Sequence, residues 1–561
     1  MRWKFILQLK HKIKIPTFSG YKLIVFGCLL VMTIMSVSGC NTKNIPNPIK
    51  REMKQGGQLV YGSLQEPDTL NPLLSDLLAT AEVGSLIFSG LVATDEKGQW
   101  MPDLVVDVPT LQNGGISLDG LTITYKLRSG VTWHDGSPFT AEDVKFTWQT
   151  IMNPKVNVIS REGYDKIKTI DTPDQYTVIV RFKEYYASHL LLFNTILPKH
   201  VLQNVSDINK AAFNRSPIGT GPFKFKEWML AENVVVEANP TYYRGKPKLD
   251  KIIYKVIPDT NIMLIQLKAG EVDIVSNMAF AQLDQIKDID GIKAVITPSM
   301  IWEHLDFNLD NSLFQDVRVR QAIALGIDKQ SIITNVLKNA ASLATGDQSP
   351  LSWAYNPTIK ADVRDINAAR NLLVQAGWKL GEGGVFVKDG SKLTFSLAFP
   401  TGNKYRETVA SVIAQQLKEV GILVELRPMD AKVFFGDTLK KRGFEMAMYA
   451  WVGGVDPNNV ELWHSKMIPS ANNGFTGQNY AGWRNAEVDL LTEQGVRLVD
   501  IEGRKQIYFH IQDIMLREYP VIPLYYRSNI DAVKNTVVNY QANPTPTGNL
   551  WNAWQWGVMD K

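Results

Sequence analysis

LTFSLAFPTGNKYRETVASVIAQQLKEVGILVELR, residues 393–427, decides the fold class. Residues 393–399 and 422–427 read as strands. Residues 405–420 carry apolar positions at helical period and stop at Gly421, the residue type that ends helices most readily. A strand, helix, strand succession of this length predicts a right-handed crossover and an α/β sheet.

Working outward, residues 444–451 (FEMAMYAW) are nearly all apolar and predict a strand buried on both faces. The loop that follows, WVGGVDPNN over 451–459, is rich in Gly, Asn and Asp. In open α/β sheets, ligands gather beyond the carboxyl ends of strands. Trp451 and Trp463 flank this loop and are the best candidates for ligand platforms among the 14 tryptophans. Asp456 either meets a positive group of a ligand or simply makes a turn with Pro457 and Asn458 ahead of a short helix.

The same rhythm recurs along the chain. Strands are predicted at 58–62, 121–127, 175–182, 233–237, 251–257 and 521–526, and helices at 79–88, 260–268, 316–325, 366–376, 487–499 and 501–517. Thr140 with Asp143 forms a capping-box signature before a helix that ends at Asn153. The glycines of IGTGPF, 218–223, lack the lysine and hydroxyl of a phosphate loop and read as a structural turn.

The N-terminus decides the compartment. Residues 1–22 hold Arg2, Lys4, Lys10, Lys12, Lys14 and Lys22 and no acid, and an uncharged apolar run over 23–37 follows. This is the layout of a secretory signal, and the run is shorter than the roughly 20 residues of a spanning helix. Six of the 60 basic residues precede Cys40 and none of the 56 acids do, so the remainder is near −2 and nothing in it argues for nucleic acid. Both cysteines lie at or before position 40, which excludes disulfides, zinc-thiolate sites and a cysteine nucleophile from the exported part. Residues 41–57, polar and rich in Pro and Asn, read as a tether.

No HExxH, GxSxG, Walker or GxGxxG motif occurs after the leader, and the exported histidines are dispersed. No cofactor or metal is expected. An enzyme reading rests only on scattered carboxylates such as Asp135 and Asp456. The pairs Asp95-Glu96 and Glu142-Asp143 sit beside turns and helix starts, where capping explains them.

Several segments together carry a resemblance. VSGC at 37–40 resembles the lipobox of bacterial lipoproteins, with Cys40 as the acylated first residue of the mature protein. YGSLQEPDTLNPLL (61–74), ITYKLRSGVTWHDGSPFTAEDVKFTW (123–148), PIGTGPFKF (217–225), ANPTYYRGKPKLDKI (238–252), FQDVRVRQAIALGIDK (314–329) and VDPNNVELWHS (455–465) resemble the extracytoplasmic solute-binding proteins of peptide and nickel ABC importers, family 5.

The resemblance implies an α/β fold of the periplasmic binding protein type II class, with two lobes, an extra domain and a hinge. The implied layout is a signal peptide over 1–39, a lipidated tether over 40–56, a first lobe from 57–95, 219–300 and 525–561, its extra domain over 96–218, and a second lobe over 301–524. Hinge crossings fall near 298–305 and 520–527. A monomeric receptor at the outer face of the cell membrane is implied, passing oligopeptides to permease subunits without covalent chemistry. Relatives that bind peptides pair the ligand as a β-strand. Carried over, Leu78, Ala79 and Thr80 offer backbone groups from one lobe and Trp451, Val452 and Gly453 from the other. Peptide binders of the family hold the ligand ammonium with an aspartate where this chain has Gly453 and Gly454, leaving Asp456 as the nearest acid. Nickel chelates or oligosaccharides therefore stay open as ligands. Lys404 or Arg406 is the candidate for a peptide carboxylate, or else a solvated charge.

Overall fold

The computed structural model describes residues 53–559. The leader, Cys40 and all but the end of the expected tether lie outside the described residues. That end is already folded, because Met53–Lys54 pairs antiparallel with Gly557–Met559.

Residues 393–427 form the unit that their periodicity predicts. Thr394–Pro400 and Leu423–Met429 pair in parallel, and the helix Lys404–Val420 connects them. Asn403 caps the helix by accepting from the Arg406 N–H, and Gly421 closes it at φ 109°. A side chain at 421 would be strained there and would strike the Gly384 carbonyl at 2.9 Å. Val409, Ile413, Leu417 and Val420 are buried against Leu393, Phe395 and Leu397, each contributing about 1.5–3 kcal/mol of burial.

This unit forms one margin of an eleven-stranded sheet. Next to Thr394–Pro400 lies Met446–Val452, then the two longest strands, Ile292–Phe307 and Val521–Lys534, and then Ile274–Val275, Gln58–Ser63, Lys251–Val256, Asn233–Ala238 and Phe223–Met229. The sheet is mixed: the long strands are antiparallel to each other, and Ile292–Phe307 is antiparallel to Met446–Val452. Their register slips between Pro298 and Trp302, where Ser299, Met300 and Ile301 stand opposite Arg527 alone. Such an irregularity bends a strand and strengthens its twist.

Separate hydrophobic clusters lie to either side of that slip. One gathers Tyr61, Val83, Leu86, Tyr254 and Trp556, and another Leu305, Phe307, Ile323, Phe395 and Met448. A third, with Ile123, Trp133, Val144 and Val180, fills the space between the helix Ala141–Met152 and the three-stranded sheet of Thr122–Lys126, Thr177–Phe182 and Ile167–Asp174. That helix starts with the capping box of Thr140 and Asp143.

Candidate ligand site

The strand Met446–Val452 is bordered unequally. On one side it pairs with Ile292–Phe307 along its whole length, from Phe307↔Met446 to Ile301↔Val452. On the other, Thr394–Pro400 pairs only with Met446 and Ala447. Beyond Ala447, no described strand borders that edge. The orientation of the free groups follows from one bond: the Gly453 N–H donates to the Met300 carbonyl at 2.8 Å. Backbone groups alternate along an antiparallel strand. Trp451 and Gly453 therefore spend theirs on the paired side, while Ala450 and Val452 direct their N–H and C=O to the open edge.

Aromatic rings surround this edge. Trp451 stacks on Tyr480 with centroids 6.0 Å apart and 5° between planes, and Phe435 meets Tyr449 edge-on at 6.3 Å. Val452 and Phe435 are exposed. A row of unpaired backbone groups lined by rings can accept an extended chain and cover its side chains loosely.

Asp456 does not stand free for a ligand; it lies at a bend ahead of the short helix, and its side chain is engaged elsewhere. It is buried and ion-paired with Arg504 at 2.7 Å, and the guanidinium also lies over Trp353 at 4.9 Å. Burial pushes the Asp456 carboxyl up against the pull of Arg504, so it is a compensated charge and not a free acceptor. The short helix Val460–Trp463 has Asn459 at its N-cap. Trp463 does not face a ligand: it is buried against Trp302 and Trp483, and its indole N–H donates to Asp347 at 2.9 Å.

The opposing segment also differs from expectation. Leu78, Ala79 and Thr80 form the first turn of the helix Leu78–Ile87, and helical residues cannot join a β-ladder. Leu78 is exposed, Ala79 is buried, and Thr80 is buried with its hydroxyl against Asp68 and the Thr69 carbonyl. Extended backbone lies just before it: Ser75 has φ −145°, ψ 142° and Leu77 has φ −67°, ψ 134°.

The two cations diverge. Lys404 projects into solvent beside Glu407. Arg406 is buried, with its Nε 2.5 Å from Glu303, whose other oxygen Arg527 holds through Nε at 3.0 Å. Burial opposes the charge on Glu303, but the guanidiniums of Arg527 and Arg406 outweigh it and keep the carboxyl below its ordinary value. Arg406 thus ties the helix Lys404–Val420 to the two long strands, with its Nε and Nη2 both spent on Glu303.

Residues 99–466 match the model of bacterial extracellular solute-binding proteins, family 5, middle region. The oligopeptide-binding protein AppA of Bacillus subtilis is 31% identical over 548 residues, covering 95% of this chain and 98% of its own. The chain belongs to family 5 of the bacterial extracellular solute-binding proteins. Members are binding proteins, not enzymes. AppA in complex with a nonapeptide is similar in structure, with a TM-score of 0.65 over 91% of this chain and all of that one. NikZ from Campylobacter jejuni in complex with Ni(L-His) is 29% identical, with a TM-score of 0.68 over 89% of this chain and 99% of that one. This family 5 protein therefore has the type II periplasmic binding protein fold, two lobes with an added domain and a hinge. Among the described residues, no helix is long and apolar enough to cross a membrane, and no group of three or more His, Cys, Asp or Glu is placed to hold a metal ion.

Proposed function

We propose that the protein captures oligopeptides outside the cell, closes its lobes around them and delivers them to an ABC permease, held at the membrane by lipid on Cys40. The observation that carries the reading is the open edge at Ala450 and Val452, which offers main-chain donors and acceptors without demanding a particular side chain. The end-to-end likeness to the oligopeptide-binding protein AppA supports it. The register slip at 298–302 is the natural place for the lobes to move, because the ladder is already interrupted and the strand bent there. A peptide drives closure only by its differential affinity for the closed form. Gly453 and Gly454 supply no acid and Asp456, the acid of the loop, is already paired with Arg504, so binding does not depend on a charge clamp at the ligand ammonium.

Isothermal calorimetry with peptides of three to nine residues tests the reading. Saturable heat with a thermal shift supports it. Silence toward every peptide, with heat from Ni(L-His), would move the protein to chelate binding. For the anchor, a Cys40→Ala variant should leave the membrane pellet, and full retention there would refute acylation.

A further inference from the structure

A cavity of about 330 Å³ opens between the helix Leu78–Ile87 and the turn of chain beside it. Its size lies within the roughly 300–1,000 Å³ of ordinary ligand pockets. Ala81, Ser85, Phe88, Trp100, Tyr242 and Trp551 give it mixed aromatic and hydroxyl walls. Two other lining residues fix its place: Ser75 and Val455. Ser75 begins the extended backbone ahead of the helix, and Val455 lies three residues past Val452, the last outward-facing residue of the open edge. The loop that leaves the open edge therefore contributes to the cavity wall, which sets the cavity at the end of the edge.

The one ion pair in the wall is self-contained. Arg244 holds Asp103 at 2.8 Å, and the carboxylate also accepts from the Tyr243 hydroxyl and from the Gly90 N–H at 3.1 Å. Neither charge is left over for an occupant. An uncharged residue therefore suits the cavity, and an aromatic one suits its rings.

We propose that this cavity is a terminal subsite, which receives an uncharged, preferably aromatic residue at one end of the bound peptide. The proposal rests on the peptide-binding reading and adds a preference that the open edge alone does not impose.

Titration with three synthetic pentapeptides tests it: pentaalanine, N-acetylated phenylalanyl-tetraalanine, and tetraalanyl-phenylalanine amide. One of the two capped phenylalanine peptides should bind about tenfold or more tighter than pentaalanine, and which one fixes the direction of the chain. Ala81 is exposed and lines the cavity, so Ala81→Trp fills it from the helix surface. It should abolish the phenylalanine advantage and leave pentaalanine binding within about twofold. If that variant does not fold, Ser85→Leu fills the same space one turn on. Equal binding of all three peptides, or a phenylalanine advantage that survives filling, overturns the subsite and leaves the peptide reading standing. Failure of all three to bind overturns the subsite, while the peptide reading is decided separately by the peptides of three to nine residues.

Discussion

Among the described residues two glutamates are buried, and their surroundings are opposite. Glu303, fully buried on the strand Ile292–Phe307, sits between the guanidiniums of Arg406 and Arg527. Glu82, nearly as buried on the helix Leu78–Ile87, has only hydroxyls: Tyr254 at 2.7 Å, Tyr61 at 3.1 Å and Ser63 at 3.5 Å. Burial raises Glu82 to about 7, and the neighbouring Asp531, also raised by burial, to about 6. One carboxylate stays charged because two cations converge on it; the other is poised to take up a proton. A buried acid thus acts as a fastener or as a titrating group according to its partners, and burial alone decides neither.

The largest expected effect tests the fastener. In Glu303→Gln both guanidiniums keep their burial and lose their counter-charge, which costs about 3–5 kcal/mol when one partner of a buried pair is removed. Urea unfolding should show a loss of that size. A loss below about 1 kcal/mol would mean that water already solvates the cluster and that the contrast with Glu82 is false.

The next effect tests the titrating group. The folded value of about 7 stands above the ordinary 4.5 of a glutamate, so the folded state binds the proton more tightly. The associated stability is fully present below about pH 4.5 and is lost as pH rises through 7. A shift of this size corresponds to about 3 kcal/mol. The parent should therefore lose more thermal stability between pH 5 and pH 8 than Glu82→Gln, which keeps a neutral group against the same hydroxyls. Parallel pH profiles for the two proteins would show that Glu82 is ionised throughout.

Part of this was legible in the chain. The strands and helix of 393–427 follow from local period and from the glycine at 421, and both survive in the fold. Glu82 also left a local signal, a single acid in the apolar run LATAEVGSLI. What could not be read is long-range pairing. Asp456 looked available because Arg504 lies 48 residues on, and Arg406 looked free because Glu303 is 103 residues away. The choice between Trp451 and Val452 as the outward residue depends on the bond between Gly453 and Met300, a matter of register with a distant strand. The Leu78–Thr80 segment failed for a local reason: the helix expected at 79–88 already claimed Ala79 and Thr80, the observed helix Leu78–Ile87 takes Leu78 as well, and the extended backbone lies before it.

The smallest effect separates binding from both carboxylates. Val452 is exposed and its N–H points to the open edge, so Val452→Pro removes a donor that no described strand uses. Proline is tolerated on such an edge, and unfolding should be almost unchanged. If a peptide backbone accepts from that N–H, the variant loses one hydrogen bond worth about 0.5–1.5 kcal/mol, a drop in affinity of about two- to twelvefold. The same substitution at Trp451 would instead break a ladder bond to Trp302 and lower stability. Unchanged peptide affinity in Val452→Pro, with the fold intact, would mean that the ligand is held through side chains and not along the edge. The aromatic group of Trp451, Tyr480 and Phe435 would then carry the binding that the open strand has been assigned.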